Sequence, residues 1–171
     1  TKDVLEKAGL KSESEIKSTT SATVAQVNEI IARTTGVVEA TISQNAIADL
    51  NTLTGSGNAL TTTVNTASVD AAALNALNNK TTVAVTVDPA TTIITGALSD
   101  IKAAYDANTA GTIIGLGNEV VVVGDSGSIA ASDLNSVNAL TTGSIGAGSV
   151  KTVSGSAADL LKVYSPSNSA G

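Results

Sequence analysis

From residue 68 the chain reads Ser68-Val69-Asp70-Ala71-Ala72-Ala73-Leu74-Asn75-Ala76-Leu77, followed after a short gap by Thr81-Thr82. Sixty positions later it reads Ser128-Ile129-Ala130-Ala131-Ser132-Asp133-Leu134-Asn135-Ser136-Val137, followed by Thr141-Thr142, and upstream it reads Ser21-Ala22-Thr23-Val24-Ala25-Gln26-Val27-Asn28-Glu29-Ile30, followed by Thr34-Thr35. Self-similarity of this kind is the signature of a repeat architecture. The sequence therefore predicts a charged N-terminal cap or junction (residues 1–20), three repeats (21–67, 68–127 and the truncated 128–164) and a linker-like tail (165–171).

Each repeat has the pattern of helix, strand, helix, strand. The first helix has an N-cap at Ser21 or Thr23 and an apolar face formed by Val24, Val27, Ile30 and Ile31. Further helices are predicted over residues 46–53, 68–78 and 97–108, and strands over 38–42, 60–64, 81–87, 91–95 and 120–123. Ser68 is the predicted cap of the helix over 68–78, and Leu98, Ile101, Ala104 and Tyr105 are predicted to share one side of the helix over 97–108.

The valine run at 120–123 and the last helix give two more specific predictions. Four consecutive valines without polar alternation indicate a strand that is buried on both faces. The segment 154–160 aligns with 95–101, which places Tyr164 opposite Tyr105. The unit from Ser154 to Tyr164 would then end the array, so we expect its apolar side to associate with another unit.

Half of one repeat contains a single short strand and a single short helix, which is too little to bury its own apolar face. Neighbouring halves must therefore cover one another. Strands that are joined through helices run parallel and cross over in the right-handed sense. The predicted fold is a right-handed α/β repeat solenoid of alternating short helices and parallel β-strands, with one sheet and all helices behind it. Its core contains Ala, Val, Ile and Leu, because Phe, Trp, Met and Cys are absent.

Three recurring sets of polar residues require an explanation. Asn28, Asn51, Asn75 and Asn135 each follow an apolar helix residue, and side-chain bonds to the backbone of connecting turns would join them into a ladder. The Thr-Thr pairs at 34–35, 81–82 and 141–142 are typical of turns, although a flat array of hydroxyl groups could also bind ice. Asp49, Asp70, Asp100, Asp133 and Asp159 occupy early helix positions, where a carboxylate favours the helix dipole.

The sequence contains few residues that could perform catalysis. It has no His and no Cys, which excludes the usual zinc sites, cysteine nucleophiles and Ser-His-Asp triads. Gly115-Leu116-Gly117 lacks the third glycine of a phosphate loop and corresponds to the turn Gly55-Ser56-Gly57. We predict no catalytic, cofactor-binding or metal-binding residues. Calcium stays open as an alternative because Asp88, Asp125 and Asp133 lie in or near loops.

Charge and hydropathy exclude two further classes. The net charge is −6 with only nine basic residues, which gives no electrostatic footprint for nucleic acid. Apolar runs fall short of the roughly 20 residues that span a bilayer, so membrane insertion is not expected.

The quoted repeat, together with its Val-rich strand and Gly-Leu-Gly-Asn turn, resembles the degenerate repeats of very large secreted or cell-surface proteins of bacteria, cyanobacteria in particular. The resemblance implies an extracellular or cell-surface structural module of an adhesin, surface layer or filament. Its partners would be neighbouring repeats or copies of itself, joined end to end. The alternatives are a recognition module for a surface glycan or host surface, of adhesin or phage-fibre type, and an ice-binding or calcium-binding solenoid. An enzyme of pectin-lyase-like type would need converging carboxylate and basic residues, which the sequence lacks.

Overall fold

The computed structural model describes residues 14–165. The charged segment 1–13 and most of the predicted tail, residues 166–171, lie outside this range. The described helices are α1 (Val24–Ile31), α2 (Ile47–Leu50), α3 (Ala71–Asn78), α4 (Leu98–Ala110), α5 (Ala131–Asn138) and α6 (Ala157–Val163). The described strands are β1 (Ile16–Lys17), β2 (Val38–Thr41), β3 (Ala59–Thr61), β4 (Thr63–Val64), β5 (Ser68–Asp70), β6 (Val85–Val87), β7 (Ile93–Gly96), β8 (Ile113–Ile114), β9 (Val120–Val123), β10 (Ser128–Ala130), β11 (Ile145–Gly146) and β12 (Thr152–Ser154).

Every strand pair within residues 14–165 is parallel, and the strands form four sheets instead of the single sheet expected from the sequence. The sheets have the orders β1-β2-β3, β4-β6-β8, β5-β7-β9-β11 and β10-β12. Paired residues lie 20 positions apart at the shortest, for Glu39 with Ala59, and 28 at the longest, for Val85 with Ile113. Several sheets replace one long sheet because strands that lie between the same two helices join different sheets, as β6 and β7 do.

The pairings divide the described chain into six consecutive units, each of which ends in a helix. Unit 1 covers residues 16–31, unit 2 covers 38–50, unit 3 covers 59–78, unit 4 covers 85–110, unit 5 covers 113–138 and unit 6 covers 145–163. Every strand pair joins two neighbouring units, and helices α2 to α5 each pack against the next helix. The fold is thus mixed α/β, with units that lie beside one another in chain order.

One continuous core runs through units 1 to 5. It consists of Val, Leu, Ile and Ala side chains together with a single aromatic residue, Tyr105. The predicted apolar side of the helix over 97–108 is confirmed, because Leu98, Ile101, Ala104 and Tyr105 are all buried in α4. The predicted N-cap Thr23 is also confirmed: its hydroxyl accepts from the Gln26 amide, and the Gln26 side chain accepts from the Thr23 amide.

The predicted helix start at Ser68 is wrong. Residues Ser68–Asp70 form strand β5, which pairs with Ile93 to Thr95, and α3 begins only at Ala71. The N-cap is Asp70, whose carboxylate accepts from the Ala73 amide at 3.0 Å. Val69 is fully buried, so pairing and burial of a β-branched residue here outweigh the helical periodicity.

The prediction for the valine run is also wrong. Val121 and Val123 are buried, whereas Val120 and Val122 are 40% and 42% exposed. Strand β9 therefore has one face in the core and one outer face, as in any half-covered strand. The outer residues are valines even though no described element covers them. Residue type alone therefore predicted burial on both faces.

Two glycines allow the backbones of neighbouring units to approach closely. A Cβ atom at Gly143 would overlap the carbonyl oxygen of Glu119, and one at Gly115 would overlap the carbonyl oxygen of Val87. Gly115 also has a φ of +99°, which L-residues with side chains rarely adopt. These two glycines are needed for the contact between units.

Candidate functional site

The recurring asparagines form contacts from each unit to the next. Asn51 donates its side-chain N–H to the carbonyl of Ala73 at 2.9 Å, and Asn75 donates to that of Asp100 at 2.9 Å. The same bond joins Asn135 to Asp159 at 3.0 Å and Asn28 to Thr52 at 2.8 Å. The predicted ladder is therefore confirmed. Most of its acceptors lie in the first turn of the next helix instead of in connecting turns, and the asparagines are partly buried.

These asparagines share one position, the fifth residue counted from the start of the helix. The fifth residue is Lys102 in α4 and Leu161 in α6. Lys102 forms an ion pair with Asp106 at 2.7 Å, one helical turn further on. Leu161 is 73% exposed. The ladder therefore skips one unit in the middle and ends at an apolar residue in unit 6.

The Thr-Thr pairs form turns that join neighbouring units. In each pair the first hydroxyl accepts from the amide two residues later: Gly36 to Thr34 at 3.0 Å, Val83 to Thr81 at 3.1 Å and Gly143 to Thr141 at 3.0 Å. The second hydroxyl of the later pairs donates across to the preceding unit, from Thr82 to Asn58 O and from Thr142 to Gly117 O, both at 3.2 Å. These contacts agree with the interpretation of the pairs as turns. In these five threonines the hydroxyl group bonds to another group of the protein.

The aspartates lie at the helix N-termini, as predicted. Asp49, Asp100, Asp133 and Asp159 are in first turns, and Asp70 is an N-cap. Asp125 contributes a cap from the next unit, because its Oδ2 accepts from the Leu98 amide at 2.7 Å. In the part of the chain that the structure describes, no three acidic residues form a group that could hold a metal ion.

A buried pair of polar side chains, Tyr105 and Glu119, was not predicted from the sequence. The Tyr105 hydroxyl donates to Glu119 Oε2 at 3.0 Å, and the same oxygen accepts from the amides of Gly117 and Asn118 at 2.9 and 3.2 Å. Glu119 is 2% exposed. The only sequence signal is an isolated carboxylate directly before the valine run. The hydrogen bond between the two side chains connects α4 of unit 4 to the turn that precedes β9 of unit 5.

The surroundings of Tyr105 disfavour its phenolate. Burial away from water raises the pKa of Tyr105 well above its ordinary value. A hydrogen bond with Thr141 opposes this effect, and the nearby charge of Glu119 adds to it. The hydroxyl therefore stays a proton donor throughout the physiological range. This arrangement joins unit 4 to unit 5 through a buried hydrogen bond.

The C-terminal end of the described chain has a different surface from the middle. Helix α6 contains no buried residue, and Leu161 and Tyr164 are 73% and 72% exposed. Tyr164 occupies the eighth position from the helix start, as Tyr105 does in α4. The sequence alignment of the two tyrosines thus holds for position counted from the helix start but not for burial, because Tyr105 is covered by unit 5, which contains Glu119.

Two grooves lie on the described surface. One has a volume of 440 Å³ and lies along α1, with Ala22, Gln26, Glu29 and Ile30 among its lining residues. The other has a volume of 410 Å³ and lies after α3, where Asn78, Asn79, Thr81, Thr82 and Thr112 present amide and hydroxyl groups. Neither has an aromatic residue or a buried charged residue in its lining.

No protein-family model, curated protein or solved structure matches the chain. Within residues 14–165, every helix is too short or too polar to cross a lipid bilayer.

Proposed function

We propose that this chain is a structural repeat module of an extracellular or cell-surface protein, such as an adhesin, a surface layer or a filament. Its units would wind as a right-handed α/β solenoid, the hand that strand-helix-strand connections take in about 98% of cases. The observation that carries the proposal is the contrast between α4, which the next unit buries, and α6, which exposes Leu161 and Tyr164. A repeat module needs a neighbour at such an end.

Recurring side-chain hydrogen bonds between neighbouring units support a structural role for the chain. Asparagine side chains, Thr-Thr turns and the Tyr105–Glu119 pair all bond one unit to the next. Hydrogen bonds of this kind between units favour one register. Each unit adds about 4.8 Å along a strand ladder, so six units extend only roughly 25 to 30 Å. Greater length would come from joining modules end to end.

The polar residues do not favour an enzyme. Most acidic side chains of the described residues lie at helix N-termini, in surface ion pairs or, for Glu119, in a bonded interior position, and Asp88 accepts from the Ala90 amide just after β6. None of these arrangements pairs a nucleophile with a base inside a cleft. We therefore expect the chain to act through its surface.

Sedimentation equilibrium from micromolar to millimolar concentration tests the proposal. We expect reversible association that weakens in Val163→Lys, because a charge at the uncovered end opposes burial. The matched control is Ala103→Lys, which adds the same charge at an exposed position of the covered helix α4. A chain that stays monomeric throughout this range would contradict end-to-end joining.

Glycan recognition is the second candidate, and the groove after α3 is the observation that favours it. Its amide and hydroxyl lining could donate to and accept from sugar hydroxyl groups, although aromatic stacking surfaces are missing from the lining. Titration with a panel of oligosaccharides, followed by NMR of the Asn78 and Asn79 side-chain amides, would decide this. Shifts that are confined to those amides and lost in Asn79→Ala would favour recognition over a scaffold role alone.

A further inference from the structure

The last helix lacks the group that joins every ladder unit to its successor. Where an asparagine at the fifth helix position bonds to the next unit, α6 has Leu161, which is 73% exposed. A leucine side chain forms no hydrogen bond, so a partner that covers this position would be bound by apolar contact. Tyr164 lies one turn further along, and its hydroxyl adds one hydrogen-bond donor to this surface. We call Leu161 and Tyr164 the tail surface.

The first described helix has a groove of mixed apolar and polar lining on the side away from unit 2. Asn28 faces unit 2, because its side chain bonds to Thr52 at 2.8 Å. At 100° per residue, Gln26, Ile30 and Arg33 lie roughly opposite Asn28 on the helix. These three residues line the 440 Å³ groove together with Ala22 and Glu29. The groove therefore lies where a preceding unit would pack, and we call it the head groove.

We infer that the tail surface of one chain docks in the head groove of a second copy, so that copies join head to tail. This inference rests on the proposed function and specifies the partner of its open end. A head-to-tail contact keeps the helices and strands of both copies parallel, as they are between all neighbouring units within the chain. Contacts of this heterologous kind give open chains of copies where the rotation between copies does not close a ring.

The two surfaces complement each other chemically. Leu161 supplies an apolar side chain for Ala22 and Ile30 in the groove. The Tyr164 hydroxyl can donate to Glu29, an exposed carboxylate in the groove wall that forms an ion pair with Arg33. The interior Tyr105–Glu119 bond of 3.0 Å is the precedent within this chain for a tyrosine at the same helix position that donates to a carboxylate.

Two singly blocked variants test the docking. Leu161→Lys blocks the tail surface, and Glu29→Lys reverses the charge in the head groove. Both residues are exposed, so we expect both variants to fold, which circular dichroism checks. Ala103→Lys serves as the control for an added lysine outside either surface. Each variant is studied alone and in an equimolar mixture by sedimentation velocity, with a fluorescent label on one of them.

We expect each blocked variant alone to stay monomeric, with association weakened at least tenfold, while Ala103→Lys associates like the original chain. The mixture should form one-to-one dimers only, because the free tail of the Glu29→Lys chain fits the free groove of the Leu161→Lys chain. Self-association of Glu29→Lys and of Ile30→Lys at the original strength would overturn the head groove as acceptor, while the open end of the proposed function would stand. A strictly monomeric original chain would overturn both.

Discussion

Helices α4 and α6 have the same sequence pattern and opposite surroundings. Asp100, Ile101 and Tyr105 in α4 correspond to Asp159, Leu160 and Tyr164 in α6. In α4 the tyrosine is fully buried and bonded to Glu119, whereas in α6 it is 72% exposed. The difference arises from the following unit, since β8 and α5 of unit 5 pack against α4. Burial in this protein is thus decided by the neighbouring unit and not by the local sequence.

The largest expected effect on stability is that of truncating Tyr105, with truncation of Tyr164 as the comparison. Tyr105→Ala removes a buried ring and leaves the Glu119 carboxylate without its side-chain donor, so we expect it to lower the free energy of unfolding by about 3 to 5 kcal/mol. Tyr164→Ala should change it by less than about 0.5 kcal/mol. Urea denaturation at low protein concentration measures both. Equal losses would mean that α6 is covered in solution.

The next largest effect on stability concerns Gly143, which lies between units 5 and 6 against the backbone of unit 5. Gly143→Ala places a methyl group against the carbonyl of Glu119, and we expect a loss of about 3 kcal/mol because the backbones of two units must separate. Gly148 lies five residues later, in unit 6, with no atom near its Cβ position, so Gly148→Ala is the control and should be nearly neutral. Similar melting temperatures for the two variants would refute the close contact.

The asparagine ladder should contribute less per residue. Asn75→Ala removes the donor to the carbonyl of Asp100, and we expect a loss of about 1 to 2 kcal/mol. Asn79 is exposed at the C-terminal cap of the same helix, so Asn79→Ala controls for helix propensity. If the urea midpoint of Asn75→Ala equals that of the control, the ladder has no energetic role.

The smallest effect is alkaline destabilisation. The folded-state pKa of Tyr105 is raised by burial, so the unfolded chain loses this proton first, at a pH of about 10. The stabilisation is fully present below that pH and is lost as pH rises further, by at most about 1.4 kcal/mol per pH unit. Tyr105→Phe should remove this component of the pH dependence, and Tyr164→Phe serves as the control. Identical stability profiles from pH 8 to 11 in the original and Tyr105→Phe chains would contradict this assignment.

Local periodicity predicted the elements whose pattern agrees with their packing. The apolar side of α4, the cap at Thr23 and the asparagine ladder could all be read from residue spacing. The start of α3 and the exposure of Val120 and Val122 could not, because they depend on which strand pairs with which. Glu119 was missed for the same reason: its partner Tyr105 belongs to the preceding unit. The exposure of Leu161 in α6 likewise depends on packing between units and not on the spacing of its own residues.

Amide hydrogen exchange of α4 and α6 tests most directly the claim that each unit is stabilised by its successor. At low protein concentration we expect the amides of Tyr105 and its neighbours in α4 to exchange only through global unfolding. The amide of Tyr164, which bonds to the Leu160 carbonyl, should open locally, with protection at least about 100-fold lower, or roughly 2.7 kcal/mol. The difference should shrink as concentration rises and the ends associate. Equal protection of both helices at low concentration would contradict the account.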